Sequence, residues 1–273
     1  MINKMSLDAT RDFARFIRIS ALKMTSMGGS SHIGSIFSMS DILAELFGNY
    51  LNLNPDKVKA KDRDRFILSK GHGGAGVYAA LAHQGFFNKS LLDTHYQNGS
   101  IFSGHVSHKG VPGVEFSTGS LGHGLPVAVG MALSDIKRCQ YNVVCLLGDG
   151  ECNEGSTWES ALLGSHHKLS KLTVIVDANK YQSIKTTNET LNLEPFAEKW
   201  KSFGWDVHEV NGHDINELRC VLSIKNDYKP KCIIANTIKG KGVSFMENNI
   251  LWHYRSAQGE EFKAALNELM YQK

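Results

Sequence analysis

Val143–Gly155 reads VVCLLGDGECNEG. Five consecutive apolar residues, Val143–Leu147, run straight into Gly148-Asp149-Gly150. An unbroken apolar run of this length suits a strand covered on both faces of a parallel sheet, where neither face meets water. In an open α/β sheet the ligand crevice lies just beyond the strand carboxyl ends. Asp149 is expected there, between glycines that let a ligand approach the backbone closely. Taken alone, GDG is equally a tight turn whose aspartate caps the next helix.

The next apolar run ends in VDANKYQS, Val176–Ser183. It places Asn179 at a second strand end, with 28 residues (151–178) between Gly150 and Asn179. That is a βαβ-sized step, so Asp149 and Asn179 are expected to converge. A carboxylate, an amide oxygen and a nearby backbone carbonyl are hard ligands, suited to Mg²⁺ or Ca²⁺ when a diphosphate completes the shell.

Strand and helix patterns alternate outward from this pair. Asp64–Ser69 predicts a strand ending in the glycine-rich Lys70–Gly76, followed by a helix over Val77–Gln84. Helices are expected over Leu125–Lys137, Ser156–His167, Pro195–Phe203, Ile215–Ile224 and Glu260–Met270. The remaining strands are expected at Asn142–Leu147, Leu172–Asp177, Asp206–Val210 and Cys232–Thr237. Phe13, Phe16, Ile17, Leu22 and Met24 recur at helical spacing over residues 6–27, stopped by Gly28–Gly29. Ser38 and Asp41 resemble a capping box opening a helix through Phe47. Gly99–Pro126 is mostly loop, and a loop that long in a compact domain is usually functional. The pattern predicts an α/β fold, a doubly wound and mostly parallel sheet with helices on both faces, in a single domain over 1–273.

Composition excludes several classes. The chain has 273 residues, is 42% apolar and 21% charged, and has a formal net charge of +3 spread along its length. That charge is too small and too dispersed to argue for nucleic acid. No apolar run comes near the roughly twenty residues that a membrane helix needs. The five cysteines include no CxxC pair, which fits a reducing, cytoplasmic setting.

GDG followed by Asn at this distance is the signature of thiamine-diphosphate enzymes, and five further segments resemble transketolase motifs in the family's order. They are SSHIG (Ser30–Gly34), DRFILSKGHG (Asp64–Gly73), Gly104-His105 followed by VPGVEFSTGSLGHG (Val111–Gly124), FGWDVHEVNGHD (Phe203–Asp214) and TIKGKG (Thr237–Gly242). A Trp252-His253 pair follows.

The resemblance implies roles residue by residue. Asp149, Asn179 and the Tyr181 carbonyl would bind the metal. Gly150, within Gly148–Gly150, would hold the diphosphate with His72 and His253. Gly119 and Leu121 would hold the aminopyrimidine through backbone. His32, His105 and His253 would surround the reacting carbon and contact the sugar. Glu154 matches a carboxylate at the subunit interface. Lys70, Lys239 and Lys241 lie beside glycines, with Lys239 expected at the cofactor and Lys70 and Lys241 equally readable as solvated. The other histidines read as loop or core residues. Ile33, His123 and Tyr254 depart from the family's usual proline, glutamine and glycine, which leaves sugar preference open.

No segment resembles the family's pyrimidine-binding domain or its C-terminal domain. The implied protein is therefore the N-terminal subunit of a split transketolase. With a separate C-terminal subunit, as an α₂β₂ heterotetramer, it would move a two-carbon ketol unit from a ketose phosphate to an aldose phosphate. The α chain of a 2-oxo-acid dehydrogenase shares GDG…Asn but not the histidine set. A split transketolase for an unusual sugar or sulfosugar, or a cofactor-binding scaffold, are the other readings.

Overall fold

The computed structural model describes residues 4–225 and 227–271, so the two ends of the 1–273 span lie outside the described residues. Five strands form one sheet: β1 Arg65–Leu68, β2 Val143–Gly148, β3 Leu172–Ala178, β4 Asp206–Asn211 and β5 Lys231–Asn236, in the order β1-β2-β3-β5-β4. Every neighbouring pair is parallel. The five predicted strands are all present, within a residue of their expected ends.

Alternate strand residues feed two separate cores. Val144, Leu146, Ile175, Ile233 and Ala235 pack on one face. There they meet α1 (Leu7–Gly28), α4 (Gly74–His83), α9 (Ile215–Ser223) and α10 (Gly259–Tyr271). Val143, Cys145, Leu147, Val174, Val176 and Ile234 pack on the other. Their partners are α5 (Gly124–Ser134), α6 (Gly155–His166) and α8 (Phe196–Ser202). Helices on both faces make the sheet doubly wound. They also explain the apolar runs, since these strands meet packed side chains on both faces.

α1 shows how sequence becomes packing. Ser6 Oγ accepts the Ala9 N–H at its start, and Gly29, at φ 63°, takes the left-handed turn that ends it. Phe13, Ile17, Ala21 and Leu22 are buried along one stripe. Truncating Ile17, which is fully buried, to Ala would cost about 2–5 kcal/mol.

Three boundaries depart from expectation. Ser38 does not cap a helix: α2 (Ile33–Ser38) and α3 (Ser40–Glu45) break at Met39. Ser38 Oγ instead donates to Asp177 at 2.6 Å. α4 begins three residues early, inside the glycine run, because glycine lets it press on a neighbouring loop. A Cβ at Gly74 would stand 2.7 Å from Val106 N. α5 stops at Ser134, where Asp135 turns its carboxylate to the Gln140 N–H at 2.6 Å.

The carboxyl ends of β2, β3 and β5 share one edge. Gly148 lies opposite Asp177, and Ala178 opposite Asn236. β3 leaves toward the α8 face and β5 toward the α10 face, so the chain diverges there and opens a crevice.

Candidate active site

Asp149 follows the last residue of β2 and is buried. Its Oδ1 accepts the Gly150 N–H at 2.7 Å and its Oδ2 accepts the Lys180 N–H at 2.6 Å. Lys180 adopts φ 66°, a left-handed residue that turns the chain just beyond β3. Asn179 is buried, and its Oδ1 accepts the Tyr181 N–H at 3.1 Å. Burial, then the nearby Asp177, push the Asp149 carboxyl up to about 7. A carboxylate so raised is short of positive charge.

Four imidazoles stand opposite. His32 lies 4.9 Å from His72, 5.7 Å from His105 and 5.0 Å from His253, between ring centroids. His32 itself has φ 77° and donates its N–H to the His253 carbonyl at 2.8 Å. That bond ties the loop before α2 to the one before α10. Burial, then His105, Lys239 and Lys70, lower His32 to about 4, and burial, then Lys239, His32 and Lys70, lower His253 to about 3. His72 is pushed well below the ordinary value and His105 is lowered, burial being the largest cause in each. All four are neutral near pH 7, each offering one donor and one acceptor nitrogen.

These groups line one cavity of about 250 Å³. Its walls include His32, His72, His105, Gly119, Leu121, Gly148, Asp149, Gly150, Asn179, Tyr181 and His253. Lys239, expected at the cofactor, is not on this wall but fully buried behind it: it donates to the Tyr181 and Gln182 carbonyls at 3.3 and 2.9 Å, and its Nζ lies 2.8 Å from His253 Nδ1. Burial, then Lys70, lower its ammonium to about 8. Glu154 is exposed and outside the cavity wall, and Lys241 pairs with Glu247 at 3.4 Å. His123 turns its Nδ1 toward the Leu121 carbonyl, while Tyr254 stands at the rim with its ring 4.7 Å from His253.

Sequence reasoning missed the support beneath. Glu151 is buried. Its Oε1 accepts from Ser69 Oγ and, at 2.9 Å, from Gly122 N–H, while its Oε2 accepts Gly148 N–H at 3.1 Å. One carboxylate thus joins the loops after β1, before α5 and after β2. Asp177 is fully buried and pairs with Lys70. The only available signal was a charged residue inside or beside an apolar strand.

Sheet and site together define a thiamine-diphosphate-binding α/β domain. Residues 9–272 match the family described as transketolase, thiamine diphosphate binding domain, and the chain belongs to the transketolase family. It is 41% identical over 245 residues to an apulose-4-phosphate transketolase subunit from Phocaeicola vulgatus, covering 88% of this chain and 86% of that one. It is 38% identical over 259 residues to the 6-deoxy-6-sulfo-D-fructose transketolase subunit SqwG of a Clostridium species, covering 94% of each. Against transketolase from Leishmania mexicana the TM-score is 0.91 at 30% identity, over 99% of this chain but 42% of that one. The chain thus spans about two fifths of a full-length transketolase and nearly all of the separate subunits. No helix among the described residues is long and apolar enough to cross a membrane.

Proposed function

We propose that this chain is the thiamine-diphosphate- and Mg²⁺-binding subunit of a split, cytoplasmic transketolase, its site built in one domain. With a partner subunit in an α₂β₂ assembly, it transfers a two-carbon ketol unit between sugar phosphates, as in pentose phosphate metabolism. The supporting observation is the pairing of an all-oxygen donor set with a ring of neutral imidazoles across one cavity.

The residues fit the cofactor. Asp149, the Asn179 amide oxygen and the Tyr181 carbonyl are hard donors in one cavity, as Mg²⁺ requires. A cation there would replace the N–H donor now on Asp149 Oδ1. That frees the Gly150 N–H, beside Gly148, for a phosphate oxygen. His72 and His253, on the cavity wall, would meet the remaining phosphate charge, with the buried Lys239 ammonium behind His253. Lys239 now holds the Tyr181 carbonyl, and a divalent cation would compete for that oxygen. Gly119 and Leu121 present backbone to the aminopyrimidine, and Glu154 faces the partner.

When bound, thiamine diphosphate supplies the electron sink that lets a ketose carbon–carbon bond break and re-form. The chain's own part is to hold and discriminate. His32, His105 and His253, neutral at pH 7, can each donate to a sugar carbonyl or hydroxyl, or accept a hydroxyl proton. Release of CO₂ from a 2-oxo acid by the assembled complex, without ketol transfer, would replace this reading with that of a dehydrogenase α chain.

A sugar outside the common ketoses is favoured by Tyr254. Its ring, 5.8 Å from His32, narrows the rim of the cavity. Relatives of matching length are named for apulose 4-phosphate and 6-deoxy-6-sulfo-D-fructose. A panel of ketose phosphates and sulfonates with the assembled enzyme decides the donor.

A further inference from the structure

Asp177 lies at the end of β3, two residues before Asn179, and is fully buried. Its Oδ2 accepts from Lys70 Nζ, from Ser38 Oγ at 2.6 Å and from Asn179 Nδ2 at 3.3 Å, and its Oδ1 accepts from Thr237 Oγ1. Lys70 donates further to the Ser35 carbonyl at 3.1 Å. Thus residues following β1 and β5, and Ser38 from α2, converge on one carboxylate behind the cavity wall, while the Ser35 carbonyl holds Lys70. A bare ion pair needs none of these extra donors. Each of them is a donor, so the set suits a carboxylate at this position.

The consequence falls on Asn179. A carboxamide has two faces of nearly equal shape, and flipping it exchanges oxygen for NH₂. Only the oxygen can bind a hard cation. Asn179 Nδ2 has a carboxylate to donate to and, at 3.4 Å, the Ser38 hydroxyl, while Oδ1 accepts the Tyr181 N–H at 3.1 Å. The flipped amide would aim its oxygen at the Asp177 carboxylate and its NH₂ at another N–H. Both contacts would be repulsive.

We infer that Asp177 is a positioning residue for the metal: its carboxylate, held by Lys70, Ser38 and Thr237, locks the Asn179 amide with its oxygen toward the cation. Outer partners of this kind orient ligands elsewhere, and their loss typically costs about 10–100-fold in metal affinity. The inference rests on the proposed metal site, and its test must separate the two.

The test titrates Mn²⁺ into the full chain, assembled with its partner and thiamine diphosphate, and follows free Mn²⁺ by electron paramagnetic resonance. Asp177→Asn leaves one acceptor oxygen for four donors. It should weaken Mn²⁺ by about 10–100-fold. A double-mutant cycle then asks how the loss arises. In an Asn179→Ala background, Asp177→Asn should cost little more, because its effect passes through that amide. Ser38→Ala, a milder change, should weaken Mn²⁺ several-fold with the same non-additivity, and it serves if Asp177→Asn fails to fold. Losses that add in full, or unchanged Mn²⁺ affinity in a folded variant, would overturn the inference. Asp149→Ala is the control. If that variant binds Mn²⁺ like the parent, the metal-site reading itself fails; if it loses Mn²⁺ while the cycle is additive, only the role of Asp177 falls.

Discussion

Asp149 is buried with Asp177 near it, and its carboxyl is raised from 3.8 to about 7. In the metal-free chain the folded state therefore holds a proton that the unfolded state gives up. That proton favours folding below pH 3.8, and the gain is lost as pH rises through about 7. A divalent cation must displace the same proton. Mg²⁺ or Mn²⁺ affinity should accordingly fall up to about tenfold per pH unit below 7 and level off above it. Calorimetric titration at several pH values checks this, and a flat profile from pH 6 to 8 would contradict it. Asp149→Ala should abolish metal-dependent cofactor binding outright. Tyr254→Gly should open the rim of the cavity and broaden the range of ketose donors, read as a fall in the ratio of kcat/KM for the preferred donor to that for a bulkier or simpler one. Unchanged ratios would remove Tyr254 from specificity.

Elements carry the site through close approach. A Cβ at Gly71 would stand 2.2 Å from the Thr118 carbonyl, and one at Gly74 2.7 Å from Val106 N. Gly74→Ala should destabilise the fold by about 1–3 kcal/mol, as overpacking does, measured by urea denaturation. The same contacts show what could be read in advance. Val143–Leu147 announced a doubly covered strand because burial on two faces dictates composition directly. GDG and Asn179 announced their convergence because a βαβ step fixes where successive strand ends meet. Ser38 was misread because its hydroxyl satisfies a carboxylate 139 positions away, a tertiary bond that local capping rules cannot foresee. The early start of α4 was hidden for a like reason, since glycine has poor helical propensity and only a neighbouring loop justifies it. Glu151 and Asp177 stayed invisible because their partners arrive from other strand ends. Their burial would otherwise argue against a charged residue at all.

Across the whole molecule, charge burial sits beneath the cavity. Lys70 and Asp177 are fully buried together, and breaking such a pair from one side costs about 3–5 kcal/mol. Lys70→Met should lower stability by that order, with a fall in denaturation midpoint as the readout. The imidazole ring should behave as a unit. With His32 near 4 and His253 near 3, their ring proton shifts should stay flat in NMR spectra from about pH 5.5 to 8; a midpoint near 6.5 would mean that these rings are solvated. Sugar chemistry at this site is proposed to need a second chain, and two relatives matched over nearly their whole length are themselves named subunits. The most direct measurement is a crystal structure of the assembled complex with thiamine diphosphate and Mn²⁺, the ion located by anomalous scattering. The expected result is Mn²⁺ bound by Asp149, the Asn179 amide oxygen and the Tyr181 carbonyl, with the diphosphate against His72 and His253. Mn²⁺ bound elsewhere, or a diphosphate touching neither histidine, would contradict it.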